Sequence, residues 1–359
     1  MKAFQYESFS LDGLKPTTLD EPQPGPREAT VRFHAASLNY RDLLFAWGVY
    51  NPRAKFPAIP FSDGAGEVTA VGSEVTRWKA GDRVCPIFTQ GWLEGPYNAA
   101  KSGTTLGGGD LPGVLREVGA FDEQSLVRIP AHLSYEEAAT LPCAAVTAWN
   151  SLVIFGNLKA GETVLTLGTG GVSIFALQLA KLYGARVIAT SSSDEKLERV
   201  RALGAAETIN YKTHPDWEQE VLRLTDGVGV DHVVEVGGAG TIGKSIASAR
   251  IGGKIGVIGV LSQGEGVNPM FLLMKTLALQ GIFVGSREMF EHLNAAISVA
   301  QLRPVIDRTF AFDEAVEALR YMETGSHFGK IVVRSLRPSA FSVPLLVLST
   351  LWKTSTTLR

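Results

Sequence analysis

Between Glu162 and Lys196 the chain changes its hydrophobic period twice, and this limits what it can fold into. Thr163 to Leu167 is a short apolar run with β-branched residues, bounded by Gly161 and Gly168, and predicts a buried strand. Gly168-Thr169-Gly170-Gly171 follows as a turn. From Val172 the apolar positions Val172, Phe175, Ala176, Leu179 and Tyr183 fall at helical spacing, and after Gly184 a second strand pattern runs over 186–190. Strand, glycine turn, helix and strand in this order give a glycine fingerprint its meaning: dinucleotide binding. Gly168 permits the tight turn, Gly170 lets the backbone approach a pyrophosphate, and the helix start offers free N–H groups to it. Ser173 stands where the usual pattern has a third glycine, so helix and strand must accommodate a small side chain. The competing reading is a glycine-rich turn with no ligand.

Beyond this unit helix and strand patterns alternate. Helices are predicted over 194–203, 215–225, 241–250 and 269–277, and strands over 208–210, 231–236, 254–258 and 281–284. That is a doubly wound parallel sheet of six strands, an α/β domain. Gly259-Val260-Leu261 and Gly285-Ser286-Arg287 end the last two strands, where ligands of such sheets bind. A further helix opens at Asp313, with Ala315, Val316, Leu319 and Met322 on one face. Up to Pro130 no long helical pattern occurs; alternation over 29–35 and 66–71, with frequent glycine and proline, predicts an irregular strand-rich domain.

Several ordered motifs give a resemblance. Gly66-Glu67-Val68-Thr69-Ala70-Val71-Gly72 and Lys79-Ala80-Gly81-Asp82-Arg83-Val84 resemble the signature of the medium-chain dehydrogenase/reductase superfamily. Asn39-Tyr40-Arg41-Asp42 and Pro60-Phe61-Ser62-Asp63-Gly64 resemble its zinc-independent, quinone-oxidoreductase-like and alcohol-dehydrogenase-like branch. The resemblance runs from Met1 to about Arg334. It implies a GroES-like catalytic domain over 1–144, a Rossmann NAD(P)-binding domain over 145–285 and a return segment over 286–334, with a tail over 335–359 outside it. Phe328-Gly329-Lys330-Ile331-Val332-Val333 matches the last strand of the family, and residues 113–118 resemble a strand that usually ends Glu-Tyr. Here Val118 stands in place of that tyrosine.

The resemblance also bears on metal. Zinc-dependent relatives supply a cysteine where this chain has Asn39 and a histidine where it has Ser62; only Cys143 matches a ligand position. One thiolate does not complete the three-ligand site that zinc catalysis needs, and residues 86–127, where those relatives carry a structural zinc lobe, contain no cysteine. No metal is therefore expected, and Cys143 reads as a buried small hydrophobe. Without zinc, hydride removal from an unactivated alcohol lacks its main electrostatic help. A conjugated carbonyl or quinone needs only hydrogen-bond donors for the charge that gathers on oxygen.

The expected activity is thus NADPH-dependent reduction of an enone or quinone. A zinc-free alcohol dehydrogenase or ketoreductase is the alternative, and a non-catalytic protein that keeps the cofactor fold is a second, from another class. Tyr40 is the candidate proton donor or oxyanion partner and Asn39 a positioning amide; the same four residues could simply cap a helix. NADPH is favoured over NADH because the second fingerprint strand ends in Ser191-Ser192-Ser193 rather than an acid, with Lys196 one turn on and Tyr211 matching a family tyrosine beside the adenosine ribose. The expected cofactor set is Thr147, Gly168, Thr169, Gly170, Gly171, Val172, Ser191, Ser192, Lys196, Tyr211, Gly259, Val260, Leu261, Ser286, Arg287 and Lys330.

Composition narrows the partners. A net charge of −2 over 359 residues gives no electrostatic case for nucleic acid. The tail run 343–352 is too short to span a bilayer. Two cysteines and a start without a signal-peptide core fit a cytoplasmic protein. A small electrophile and a second copy of the chain, as a homodimer, are the expected partners.

Overall fold

The computed structural model describes residues 1–259, 261–262, 264 and 267–335. Its first lobe is built on sheets. β1 (Lys2–Tyr6) and β2 (Leu14–Thr18) form an antiparallel pair, followed by β3 (Glu28–Ser37), helix α1 (Tyr40–Ala46), β4 (Asp63–Val71), β5 (Arg83–Pro86), β6 (Val118–Asp122) and β7 (Leu126–Arg128). The long β3 lies against β4 on one side, and the register puts Gly66 opposite Phe33. Gly66 must be glycine, because a Cβ there would sit 2.2 Å from the Arg32 carbonyl oxygen.

Helix α2 (Tyr135–Ala139) begins with a capping box at Ser134: its hydroxyl accepts from the Glu137 N–H at 3.1 Å, and the Glu137 carboxylate accepts from the Ser134 N–H at 2.8 Å. The helical path continues through Leu141–Ala145, α3 (Val146–Trp149) and Asn150–Phe155, the first and last of these with π-type turns. This path carries the chain into the second lobe. There β8 (Thr163–Leu167), α4 (Gly171–Leu182), β9 (Arg186–Ser191), α5 (Asp194–Ala202), β10 (Glu207–Asn210), α6 (Trp217–Leu224), β11 (Val230–Glu235), α7 (Ile242–Ser248), β12 (Ala249–Val257), α8 (Pro269–Met274) and β13 (Ala278–Gly281) follow. All pairings in this sheet are parallel and its order is β10-β9-β8-β11-β12-β13. The order reverses between β8 and β11, so a crevice opens beyond their carboxyl ends.

Three details differ from the sequence reading. The last strand lies at 278–281, not 281–284, and Gly285-Ser286 instead leads into a helix that was not expected, α9 (Arg287–Ala300). Ser286 caps it by accepting from the Met289 N–H at 3.2 Å, and Phe290, Leu293 and Ile297 bury one face. At about 1.5–3 kcal/mol for each such side chain, that face outweighs strand propensity in its neighbourhood. Residues 249–250 belong to β12 rather than to the preceding helix. The segment 113–117 is not a strand; the ladder starts at Val118, which is buried opposite Arg32.

The chain then returns to the first lobe. β14 (Ile306–Ala311), α10 (Ala315–Glu323) and β15 (Lys330–Arg334) complete a seven-stranded sheet in which β15 pairs with β14 and with β3. Phe310, Phe312, Leu319 and Ile331 share one core with Phe4, Phe33 and Phe61. A second core, holding Phe88, Trp149, Phe175, Phe290 and Phe328, joins the lobes, and a third, with Leu165, Ile188, Trp217 and Ile255, fills the far face of the parallel sheet. No helix among the described residues is long and apolar enough to cross a membrane. Residues 336–359, including the apolar run of the tail, lie outside the described residues, as does Val260.

Candidate active site

The glycine turn has the geometry a pyrophosphate needs. Gly168 has φ of +70°, which favours glycine, and no heavy atom lies within 4 Å of a Cβ built at Gly168 or Gly170. Open space therefore faces the start of the twelve-residue α4, where no side chain among the described residues caps the first N–H groups. Ser173, in place of the third glycine, is buried and donates its hydroxyl to the Leu167 carbonyl at 2.6 Å, so its polar atom is satisfied by the strand. Val172 packs against the core that joins the lobes. The residues present fit a dinucleotide.

A second contact crosses this turn. Gly329, with φ of +80°, donates its N–H to the Thr169 carbonyl at 2.8 Å, and Lys330 follows it across the face of Gly171. A Cβ at Gly171 would stand 2.5 Å from Lys330 Cδ. The buried Lys330 ammonium donates to the Leu38 carbonyl and to Asn39 Oδ1, at 2.6 Å for the latter. Asn39 Nδ2 lies 3.5 Å from Ser62 Oγ, Ser62 donates to Asp63 Oδ1 at 2.7 Å, and Asp63 Oδ2 accepts from the Cys143 N–H at 3.0 Å. The three positions that the resemblance sets against zinc ligands, Asn39, Ser62 and Cys143, are thus brought together and joined by hydrogen bonds. Among the described residues no group of three or more His, Cys, Asp and Glu side chains is gathered as a metal site. Burial pushes the Cys143 thiol up to about 12, with Asp63 adding to it.

Tyr40 lies apart from this chain. Its ring is 38% exposed and sits edge-on to Trp47, 6.1 Å between centroids. Behind it, Arg41 and Asp42 are buried. Asp42 accepts from the Asn39 N–H at 2.8 Å, and burial raises its carboxyl to about 6 against the pull of Arg41. The Arg41 guanidinium stands 5.2 Å from the Tyr50 ring centre and 4.9 Å from that of Phe88, and donates to the Leu106 carbonyl at 2.8 Å. Gly108 makes this approach possible: a Cβ there would lie 3.0 Å from both Arg41 Nη1 and Tyr50 Cε1. Arg41, Tyr50 and Asp63 carried no assigned role in the sequence reading, although Arg41 and Asp63 fall inside its motifs. Their place inside the two family-like motifs was the signal available for Arg41 and Asp63.

At the end of β9, Ser191 is buried and its oxygen accepts from the Ser193 N–H at 3.3 Å; Ser193 caps α5; Ser192 is half-buried. Asp194 is engaged by Asn210 Nδ2 at 2.7 Å, and Tyr211, 41% exposed, flanks the same edge. Lys196 donates to the carbonyls of Gly325 and His327, each at 3.0 Å, leaving one N–H uncommitted among the described residues. Across the crevice, Glu235 is fully buried and accepts from the N–H groups of Gly237 (2.7 Å) and Gly238 (3.0 Å), from Thr241 Oγ1 (2.6 Å) and from the Ser245 hydroxyl. This shapes the loop after β11 against Gly259, where a Cβ would stand 1.7 Å from the Val236 carbonyl oxygen. Leu261 is exposed, Thr147 buried, and Ser286 is the cap of α9. Arg287 reaches into the first lobe, donating to Gln124 Oε1 at 2.6 Å.

Family models agree with this architecture. Residues 25–131 match the alcohol dehydrogenase GroES-like domain and residues 171–298 the zinc-binding dehydrogenase domain. A zinc-type alcohol dehydrogenase-like protein of Schizosaccharomyces pombe is 43% identical, covering 91% of this chain and 97% of its own length. The chain belongs to the medium-chain dehydrogenase/reductase superfamily. It is an NAD(P)H-dependent oxidoreductase of that type. A quinone oxidoreductase of Pseudomonas aeruginosa is 34% identical over 82% of this chain and 87% of its own. Among solved structures, an NAD-dependent alcohol dehydrogenase superposes with a TM-score of 0.85 at 35% identity, covering 93% of this chain and 99% of the other.

Proposed function

We propose that this oxidoreductase uses NADPH to reduce the C=C bond of an activated enone, or a quinone, without a catalytic metal. The observation that carries the reading is the donor set at the centre of the cleft. An amide and a hydroxyl stand at two of the three metal-ligand positions of relatives, and their oxygens are already engaged by Lys330 and Asn39. With the Ser62 hydrogen given to Asp63, the set offers an Asn39 N–H donor, of the kind that serves when the developing charge is delocalised onto a conjugated oxygen. Bound at the glycine turn, the dinucleotide supplies the hydride. Asn39 holds the substrate oxygen from within the cleft, and Tyr40, at its exposed edge, is the second candidate donor. Gly168, Thr169, Gly170, Gly171, Val172 and Lys330 form the pyrophosphate side; among the described residues, Thr147, Gly259, Leu261, Ser286 and Arg287 complete the proposed cofactor set.

The choice of NADPH rests on the serine run at the end of β9, on the uncommitted N–H of Lys196, and on the engagement of Asp194 with Asn210, which draws that acid away. A second reading, a zinc-free alcohol dehydrogenase, is favoured by the similarity to a protein named an NAD-dependent alcohol dehydrogenase. A homodimer is proposed from the edge of the parallel sheet: β13 is exposed along its length, and Phe271, Leu273 and Met274 of α8 stand in solvent beside it. Two copies pairing their β13 edges would extend the sheet and cover this face. Two unpaired cysteines suit a cytoplasmic location.

The test is a panel of enones, quinones, aldehydes and simple alcohols with both cofactors, together with elemental analysis. Deuterium from labelled NADPH is expected at the β-carbon of an enone, with no stoichiometric zinc, and Tyr40→Phe is expected to lower turnover while leaving NADPH affinity intact. Label at a carbonyl carbon with efficient alcohol oxidation would establish the second reading instead. About one zinc per chain, removed by chelator along with activity, would overturn the metal-free reading.

A further inference from the structure

We infer that Lys330 is a positioning residue that locks the Asn39 amide in one orientation, so that Asn39 Nδ2 presents an N–H to the reacting oxygen. The inference rests on the reduction proposed above and goes further, because it assigns Lys330 a role toward another side chain rather than toward the cofactor alone.

The direction of every bond in the chain Lys330–Asn39–Ser62–Asp63 is fixed by its ends. An ammonium is only a donor, so the amide atom facing it must be Oδ1. The Ser62 hydroxyl donates to Asp63 Oδ1, leaving a Ser62 lone pair for Asn39 Nδ2. Rotating the amide by half a turn would set N–H groups against the ammonium. One Nδ2 hydrogen faces Ser62, at 3.5 Å, and the other is committed to no group in the chain. Each bond polarises the next, and the cation at one end withdraws electron density from the amide it holds.

A second observation points the same way. Asn39 is the N-cap of α1, and an asparagine there ordinarily turns its side-chain oxygen onto the first free N–H groups of the helix. Here that cap bond is not made, and the oxygen faces Lys330. A local helix-capping bond worth about 1 kcal/mol has been given up for a contact between residues 291 positions apart. Gly171 keeps the path clear, since any side chain there would meet the Lys330 stem. A purely structural lysine would be as well served by backbone carbonyls.

The experiment is a double-mutant cycle of Lys330→Met and Asn39→Ala, with turnover at saturating NADPH and an electrophile that the wild type reduces. The NADPH dissociation constant of each variant is measured by fluorescence titration. Asn39→Ala is expected to lower turnover on the order of 100-fold, and Lys330→Met to lower it strongly in the wild-type background but at most about threefold in the Asn39→Ala background. Equal factors in both backgrounds would overturn the inference, because Lys330 would then act independently of Asn39. A crystal structure of the NADPH complex gives a readout apart from activity: Lys330 Nζ is expected to remain on Asn39 Oδ1, and its departure to the cofactor would overturn the inference too. If a variant fails to fold, Lys330→Gln, which keeps a donor without charge, and Asn39→Asp, which keeps the acceptor and loses the N–H, take their places. A wild type that reduces no electrophile sinks the proposed reaction, and the crystal structure then decides the orientation alone.

Discussion

At the scale of single residues, Lys196 is held by two competing demands. Its ammonium donates to two carbonyls of the loop before β15, yet it lies on α5, whose start follows the end of β9 where the adenosine is proposed to lie. If its remaining donor serves a 2′-phosphate, Lys196→Ala raises KM for NADPH far more than for NADH. A rise of equal size with both cofactors, with a lower melting temperature, would leave the residue a strut between helix and loop. His327, in the same loop, gives a pH prediction. Burial lowers its imidazole to about 4, the neighbouring Lys196 adds to this, and Asp307 opposes it. The folded protein therefore binds fewer protons here than the unfolded chain, whose imidazole titrates near 6.5. The stability linked to His327 is complete above that value and is lost as pH falls through 6.5 toward 4. His327→Gln is expected to flatten that part of a plot of unfolding free energy against pH, whereas a curve unchanged by the substitution would refute the link.

At the scale of elements, the fingerprint unit and the return strand act on one another. α4 begins at Gly171, and β15 begins at Lys330, which crosses it. Alanine is the better helix former by up to about 1 kcal/mol, so on propensity alone Gly171→Ala should be harmless. The Cβ would nevertheless meet Lys330 Cδ at 2.5 Å and push the ammonium from Asn39. We expect turnover to fall at least tenfold while the melting temperature holds. Turnover at the wild-type level would mean that the lysine stem moves aside without consequence. Helix α9 shows a different coupling: its first turn is tied to Gln124, and Asn294 donates to the Arg128 carbonyl at 2.9 Å, so it anchors the parallel-sheet lobe to the first lobe.

At the scale of the molecule, the exposed face around β13 is where a second copy would sit. Leu273 and Met274 are each 70% exposed, and a strand edge beside such residues is a template for association. Leu273→Asp together with Met274→Asp is expected to convert a dimer into a monomer in analytical ultracentrifugation. A wild type that sediments as a monomer at micromolar concentration would remove the proposal, and a variant that stays dimeric would move the interface elsewhere.

The sequence alone was enough for the six-stranded parallel sheet and its glycine turn, because period, β-branching and Gly168 act locally and each leaves a mark within a few residues. Strand 278–281 and helix α9 were misplaced or missed because burial against the joint core, not local propensity, selects them. The candidate site divides along the same line. Motifs gave Asn39, Ser62 and Cys143 as positions, but their connection is a matter of tertiary structure alone. Lys330 reaches Asn39 from the far end of the chain, and nothing within a few residues of either announces the contact. A buried ammonium must find acceptors wherever the fold brings them, and here the fold brings the return strand across the glycine turn to the first helix of the other lobe.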